Sequence, residues 1–480
     1  MAVPVILWFR NDLRLTDNAA LTAAVAAGAP VICAFALDDA SPGVWKAGGA
    51  SRWWLHHSLA ALDAALRKAG NRLICRTGRA AEVIAELADE VGAGAVYLTR
   101  RYEPWAVAEE KTLSDVLSVG EIDVRRFGGA LLVEPEAVRT WQGTPFKVFT
   151  PFYRAVLKEL AVASPRPAPR TIPAPEAWPG GVSIESLDLR PRTPDWAAGL
   201  RETWLPGEAG AAAALERFIA EAIAGYPEGR DRPAVAGTSR LSAHLHFGEI
   251  GPRQILARLH HGGEQAGAEA FVRELVWRDF CAHLLFHWPE IPDQPFRPEY
   301  ADFPWRSDPV ALRAWQRGRT GYPMVDAGMR ELWRTGWMHN RVRMIVASFL
   351  VKHLLVPWQD GEAWFWDTLV DADLASNAAN WQWVAGSGAD AAPYFRIFNP
   401  VTQGEKFDPG GDYVRRWIPE IAALPDKYIH RPWAAPDEAL RHAGVDLGTT
   451  YPRPIVDHAA ARERALRAFE TFRRGRAAAR

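Results

Sequence analysis

Cysteine is scarce in this 480-residue chain: Cys33, Cys75 and Cys281 lie far apart and at no metal-ligand spacing. That excludes a disulfide scaffold and a cysteine-based metal centre. No basic leader precedes the apolar start (Met1 to Phe9), and no apolar run has membrane-spanning length. The expectation is a cytoplasmic protein that does not engage a membrane. Net charge is lacking as well. There are 56 basic and 57 acidic residues, and residues 1–160 carry 18 of each, leaving 38 and 39. No global field draws the chain to a polyanion, so any nucleic-acid site has to be a local patch. Glycine-rich phosphate loops are missing too. The segment after the first apolar run is Arg10-Asn11-Asp12-Leu13-Arg14, with no Gly-x-Gly-x-x-Gly turn. A dinucleotide site of that kind is excluded there. No P-loop, Gly-x-Ser-x-Gly elbow or metal cluster occurs, so the expected metal content is none.

What is present has the balance of an ordinary globular protein, with 48% hydrophobic and 24% charged residues. The length implies two or three domains. Residues 3–9, 30–37, 72–76 and 95–98 are short apolar strands, separated by helical patterns over 21–27, 51–70 and 80–91. Alternation of this kind predicts a doubly wound parallel sheet. Six prolines between 165 and 179 mark an extended, semi-rigid linker. From about residue 207 the period is helical: 211–223, 269–287, 309–317, 324–335, 340–352 and 361–369. The expected division is an α/β domain over 1–135, a linker over 136–206 and an all-α domain over 207–480. Tryptophan is the oddity. Of 22 in the chain, 11 lie between Trp277 and Trp383. Packing explains most of them, and a stacking surface or an electron path is the alternative.

Three constellations carry chemistry. Gly237-Thr238-Ser239-Arg240-Leu241-Ser242 reads as a helix start. Its hydroxyls can cap the helix, or bind a phosphate at the positive end of the dipole. Phe271, Glu274 and Arg278 share a helical face with Trp277 on the flank. That face suits gripping a base, or is a surface ion pair beside a core indole. Asn340, Arg343 and Met344 share another face in Trp337-Met338-His339-Asn340-Arg341-Val342-Arg343-Met344. An inward arginine needs a carboxylate or a phosphate, and Asp371-Ala372-Asp373 offers the carboxylate. Asn377 and Trp381 follow Asp373 at helical steps. His339 taken alone is a packed histidine.

Together these motifs resemble the photolyase/cryptochrome family. The resemblance rests on Trp8-Phe9-Arg10-Asn11-Asp12-Leu13-Arg14 with Asp17-Asn18, Gly237 to Ser242, Gly336 to Arg341, Trp381-Gln382-Trp383, and Ala391 to Pro400. It covers nearly the whole chain. Within the family the chain looks like a bacterial class I type cyclobutane pyrimidine dimer photolyase. The resemblance implies an α/β antenna domain and an all-α domain holding FAD. It also implies light-driven electron transfer from reduced, anionic flavin to a flipped-out pyrimidine dimer, with the electron returned after the ring splits. The partner implied is UV-damaged DNA, bound by a monomer.

Carried over by position, Tyr226, Thr238, Ser239, Arg240, Leu241, Ser242, Phe271, Arg278, Arg343, Asp371, Asp373 and Asn377 are implied to contact the flavin. Arg343 would pair with Asp371, and Asn377 would lie near flavin N5. Glu274 would bond the dimer, with Trp277 and Trp383 as walls and Asn340 and Met344 as further lining. Arg230, Arg341, Arg396 and Gln403 would meet the damaged strand, the arginines by positioning phosphates. Trp381, Trp358 and Trp305 would form the chain of three that reduces oxidised flavin from the surface.

Relatives that repair 6-4 photoproducts have histidine where Asn340 and Met344 stand. Plant-type cryptochromes have Asp, and insect types Cys, where Asn377 stands. Dimer repair is therefore the expected function. The alternatives are a cryptochrome-type blue-light receptor without repair activity and a dark flavoprotein electron carrier. Phe271 stands where some relatives have Trp. Trp105-Ala106 replace the Asn-Glu of folate-binding relatives, and Tyr102-Glu103-Pro104 is closer to the deazaflavin pattern. The expected second chromophore is accordingly a deazaflavin or a folate.

Overall fold

The computed structural model describes residues 3–160, 164–260, 265–391 and 395–478. Part of one motif, Ala392-Pro393-Tyr394, lies outside them, as do residues 161–163 at the start of the Pro-rich stretch. The chain forms two compact units, each discontinuous in sequence. One comprises Met1–Ala224, Ser239–Pro289 and Val370–Ala375; the other comprises Gly225–Thr238, Glu290–Leu369 and Ser376–Arg480.

The first unit is built on a five-stranded sheet in the order β3-β2-β1-β4-β5: β1 (Val5–Phe9), β2 (Val31–Leu37), β3 (Leu73–Thr77), β4 (Ala95–Thr99) and β5 (Asp123–Phe127). Every ladder is parallel, with Val5 opposite Val31 on one side and Ala95 on the other. Val-Ile-Leu-Trp-Phe is a continuous apolar run because both faces of a central parallel strand are covered. The crossovers are α1 (Ala19–Ala26), α2 (Gly49–Lys68), α3 (Ala80–Val91) and α4 (Pro104–Ser118). Ile6, Trp8, Ile32, Ile84, Val96 and Leu98 lie in one core cluster on one side of the sheet. Strand β5 and helix α4 have no counterpart in the sequence-based expectation. Asp-Val-Arg-Arg-Phe is a half-exposed edge strand, its Arg125 paired with Asp123, so no apolar run announces it.

The remaining helices of this unit are α5 (Phe149–Glu159), α6 (Ala198–Thr203), α7 (Glu208–Glu221), α9 (Ser242–His246), α10 (Pro252–His260) and α11 (Gln265–His287). The Pro-rich stretch is extended and tied down. Val31 N–H donates to Pro173 O at 2.8 Å, Ile172 N–H to Ala69 O at 2.9 Å, and Val182 N–H to Cys75 O at 2.8 Å.

The second unit is helical. It contains α8 (Tyr226–Gly229), α12 (Pro309–Gln316), α13 (Pro323–Thr335), α14 (Asn340–Ser348), α15 (Trp358–Thr368), most of α16 (Leu374–Ala385), α17 (Pro400–Phe407), three short helices and α21 (His458–Ala478). The single helix expected over 340–352 is two pieces. At Phe349 the backbone widens into a π-helix, Phe349–Leu354, that ends on Leu355 at φ 57°. Such insertions recur at functional sites. Some polar groups in this core are fully matched. Asp326 accepts from Thr320 and Gly321 N–H and from the Tyr451 hydroxyl, the last at 2.7 Å, and Tyr413 donates to Glu331 at 2.6 Å.

Candidate functional site

The Arg10 to Arg14 motif acts as a lock inside the first unit. Arg10 donates to Glu110 at 2.5 Å and to Thr99 O. Asp12 accepts from Arg10 N–H, Asn18 and Thr99. Asn11 donates to His246 O at 3.0 Å and Arg14 to Gly248 O at 2.9 Å. Gly248 has φ 65°, and a Cβ there would stand 2.1 Å from Asn11 O, so only glycine fits. This fixes the backbone just after the expected flavin-contacting segment.

That segment differs from the expected helix start. Helix α9 begins at Ser242, its N-cap is Leu241, and no side chain caps it. Arg240 is left-handed at φ 55°, which turns the chain before the helix can begin. The Ser239 hydroxyl accepts from Leu241 N–H at 3.3 Å instead. Leu241 is buried. Arg240 lies over the Trp204 ring.

Helix α11 carries Phe271, Glu274, Trp277 and Arg278 as the spacing implied. Phe271 is buried against Phe218, with ring centroids 4.7 Å apart. Glu274 and Trp277 are both half-buried. Trp277 stacks face to face on Phe149 of α5, at 3.6 Å and 5°. Sequence reasoning passed over Phe149; its signal is the aromatic run Phe149-Thr150-Pro151-Phe152-Tyr153. Arg278 donates to Ala130 O at 2.6 Å and Leu245 O at 3.5 Å, which anchors the middle of α11. Next to it, burial pushes the Asp279 carboxyl up to about 7, although Leu132 and Val133 N–H groups donate to it. Asp371 is buried, and Asp373 lies 3.6 Å from His246.

A pocket of this unit is lined by Asn11, Tyr102, Glu103, His246, Arg278 and Asp373, among others. Two of the residues expected to contact the flavin therefore share a cavity with the Tyr102-Glu103 pair. Ala106 is fully buried in the core.

In the second unit, Tyr226 is buried with Arg230 over its ring. Asn340 opens α14, capped by the buried His339, whose Nδ1 accepts from Arg341 N–H at 3.2 Å. Arg341 pairs with Asp231 at 2.7 Å, lies over the Phe407 ring and contacts Met344 Sδ at 3.7 Å. Arg343 donates to Met338 O at 2.8 Å. Arg396 lies beside Phe398, and Gln403 is half-buried on α17.

Trp381 is buried, edge-on to Phe365 at 5.0 Å and Trp315 at 6.2 Å. Its ring lies so close to Gly361 that a Cβ there would come within 2.1 Å. Gly361 is one turn after the buried Trp358 on α15. Trp305 is half-buried, 4.4 Å from Phe303. Trp383 donates from Nε1 to Asp390 O at 3.2 Å.

Asn377 donates from Nδ2 to Glu362 O at 3.0 Å, which fixes its amide plane. Both carboxylate oxygens of the buried Glu362, and Nε1 of Trp381, have no hydrogen-bond partner. Burial holds the Glu362 carboxyl well above its usual range. Buried polar atoms left in this state around Asn377 fit a ligand that brings hydrogen-bonding groups of its own. Among the described residues no group of three His, Cys, Asp or Glu is placed to hold a metal ion, and no helix is long and apolar enough to cross a membrane.

Comparison with known proteins agrees with this geometry. The model "DNA photolyase" matches residues 5–174, and "FAD binding domain of DNA photolyase" matches residues 271–471. A deoxyribodipyrimidine photo-lyase of Agrobacterium fabrum is 52% identical over 474 residues, covering 98% of both chains. Cryptochrome-1 of Arabidopsis thaliana is 41% identical over 95% of this chain and 69% of its own length. A crystal structure of a class III photolyase from Agrobacterium tumefaciens superposes with a TM-score of 0.95 at 51% identity, covering 99% of this chain and 98% of that one. These relatives establish the family and do not divide class I from class III. The chain belongs to the photolyase/cryptochrome family, with an α/β domain and a helical FAD-binding domain.

Proposed function

We infer that the chain is a light-dependent deoxyribodipyrimidine photo-lyase that binds UV-damaged DNA and splits cyclobutane pyrimidine dimers. The observation that carries this reading is on α11. A half-buried indole, Trp277, is held rigid by its stack on Phe149, one helical turn from a half-buried carboxyl, Glu274. A fixed ring gives an extruded base a face to stack on, and the carboxyl bonds its amide edge. On α14, Asn340 and Met344 supply an amide and a thioether where 6-4 repair would call for histidine.

Tyr226, Thr238, the segment Ser239 to Ser242, Phe271, Arg278, Arg343, Asp371, Asp373 and Asn377 would hold FAD. When bound and reduced, FAD supplies the light-driven electron. The protein's part is to orient and to exclude water. Asn377, its amide plane fixed, lies on the same helix as the indole of Trp381. Trp381 and Trp358 are buried and Trp305 is partly exposed, the order needed to pass an oxidising equivalent from the interior to solvent. Indole suits this because it is far easier to oxidise than phenyl. Arg230 and Arg396 position backbone phosphates without reading sequence. The protein works in the cytoplasm as a monomer, and a deazaflavin or a folate serves as its second chromophore.

The receptor reading draws on the 41% identity to Cryptochrome-1. Repair by the wild type separates the two, and Glu274→Ala tests the site. In the variant, repair yield under blue light falls while FAD stays bound, as judged by the absorption spectrum of the purified protein. A variant that repairs like the wild type removes Glu274 from the site, and a wild type that splits no dimers under blue light favours the receptor.

A further inference from the structure

Arg273 lies four residues before Trp277 on α11, and Phe149 lies four residues before Tyr153 on α5. Each helix therefore offers a pair of side chains one turn apart. The two pairs meet within one compact unit. Trp277 stacks on Phe149, and Phe149 stacks on Tyr153 with centroids 5.7 Å apart and 26° between the planes. The Arg273 guanidinium lies over both rings of α5, 5.0 Å from the Phe149 centroid and 5.2 Å from that of Tyr153. Phe149 is buried, Tyr153 is half-buried and Arg273 is exposed.

Two carboxylates are close to Arg273 in sequence, Glu269 one turn before it and Glu274 directly after it. Neither pairs with it, nor does any other carboxylate among the described residues. A guanidinium spread over aromatic faces gains cation–π attraction through its plane, and its N–H edge stays available. That edge is a fork that matches two oxygens of a phosphate. A long exposed side chain ordinarily loses rotamer freedom when a partner binds, and here the rings have restricted it beforehand. Arg154, exposed and next to Tyr153, adds charge of the same sign. The position is also informative. Arg273 is adjacent to Glu274 and one turn from Trp277, the two groups that would hold the extruded dimer. A phosphate that reaches this guanidinium is one that flanks the lesion.

We propose that Arg273, held on the Phe149 and Tyr153 rings, is a phosphate clamp for the damaged strand, taking a phosphodiester beside the extruded dimer through its N–H edge. The proposal rests on the reading of the chain as a DNA photolyase and adds a binding residue to it. One ring, Phe149, supports both the wall of the lesion pocket and the clamp. The span from the stacked base to the flanking phosphate is then set by the protein and not by the strand.

The test compares two probes on the flavin-loaded protein: an oligonucleotide carrying one cyclobutane dimer, titrated over a range of salt, and a thymine base dimer without phosphate, measured by competition. Arg273→Gln weakens binding of the oligonucleotide by roughly 2- to 5-fold, the weight of one exposed ion pair. It lowers the steepness of log affinity against log salt by about 0.7 to 0.9, the share of one phosphate. Affinity for the base dimer is unchanged. Arg273→Lys restores the salt slope, because the charge is kept, and only part of the affinity, because an ammonium has no fork. A salt slope unchanged in Arg273→Gln overturns the proposal. So does an equal loss on both probes, which would make Arg273 a support of the Trp277 stack alone. Should the slope fall as expected in a protein whose wild type splits no dimers in light, the clamp stands and the repair reading falls.

Discussion

The sheet of the first unit and the α14–α16 region of the second bury ionisable side chains in opposite ways. Around β1 they meet an opposite charge or several donors. Arg10 has Glu110 and a carbonyl, though its Nε and Nη1 are left over, and Asp12 has three donors. Around the π-helix they meet less. Lys352 is fully buried with the Ala385 carbonyl at 2.6 Å and the Phe395 ring for company, and the Glu362 carboxyl has no hydrogen-bond partner. Burial drives the lysine well below its ordinary range and the carboxyl well above. His353, in the same stretch, is pushed down to about 3. A satisfied charge network specifies a fold. Unsatisfied groups cost stability, and proteins keep such groups where a site needs them. The contrast sets paired buried charge in the sheet against unpaired buried polar atoms beside α16.

The largest effect that would sharpen this contrast is functional. Trp381→Phe abolishes photoreduction of oxidised flavin, followed as bleaching of flavin absorbance in light. Repair by chemically reduced enzyme falls far less. Equal loss of both would make Trp381 a packing residue. Next comes stability on the sheet side. Arg10→Met leaves the buried Glu110 without its counter-charge, with only the Arg101 N–H donating to it, and costs about 3–5 kcal/mol, seen as a lower midpoint in chemical denaturation. A midpoint unchanged from the wild type would break the claim that the motif is a lock. The smallest effect lies on the other side. The Glu362 carboxyl has a raised pKa in the folded protein, so the folded state holds its proton where the unfolded state has lost it. Its contribution to stability is present below the usual carboxylate range and is lost as pH rises, by at most about 1.4 kcal/mol per pH unit. Glu362→Gln flattens that slope. A slope identical to the wild type would show that the carboxyl is compensated after all.

The strands were legible where burial on both faces leaves a continuous apolar run, as in Val5–Phe9. The charged edge strand Asp123–Phe127 has no such signal. Helical spacing placed Phe271, Glu274 and Arg278 on one helix. It did not foresee that backbone carbonyls would take up Arg278, because distant loops supply them. Arg240 in the left-handed region has no sequence signature, so the helix start was expected three residues early. Phe149 was missed because its partner, Trp277, is 128 residues away. Lys352 did have a signal, a lone lysine in an apolar run, which periodicity alone does not weigh; Glu362, two residues after Asp360, had none.

The central claim is that this chain uses light to split dimers. Its most direct test is blue illumination of the chemically reduced, flavin-loaded protein with dimer-containing DNA, counting dimers and recording the flavin spectrum before and after. The account predicts that dimers disappear over many turnovers while the flavin ends as it began. Dimers that persist with reduced flavin still bound would contradict it.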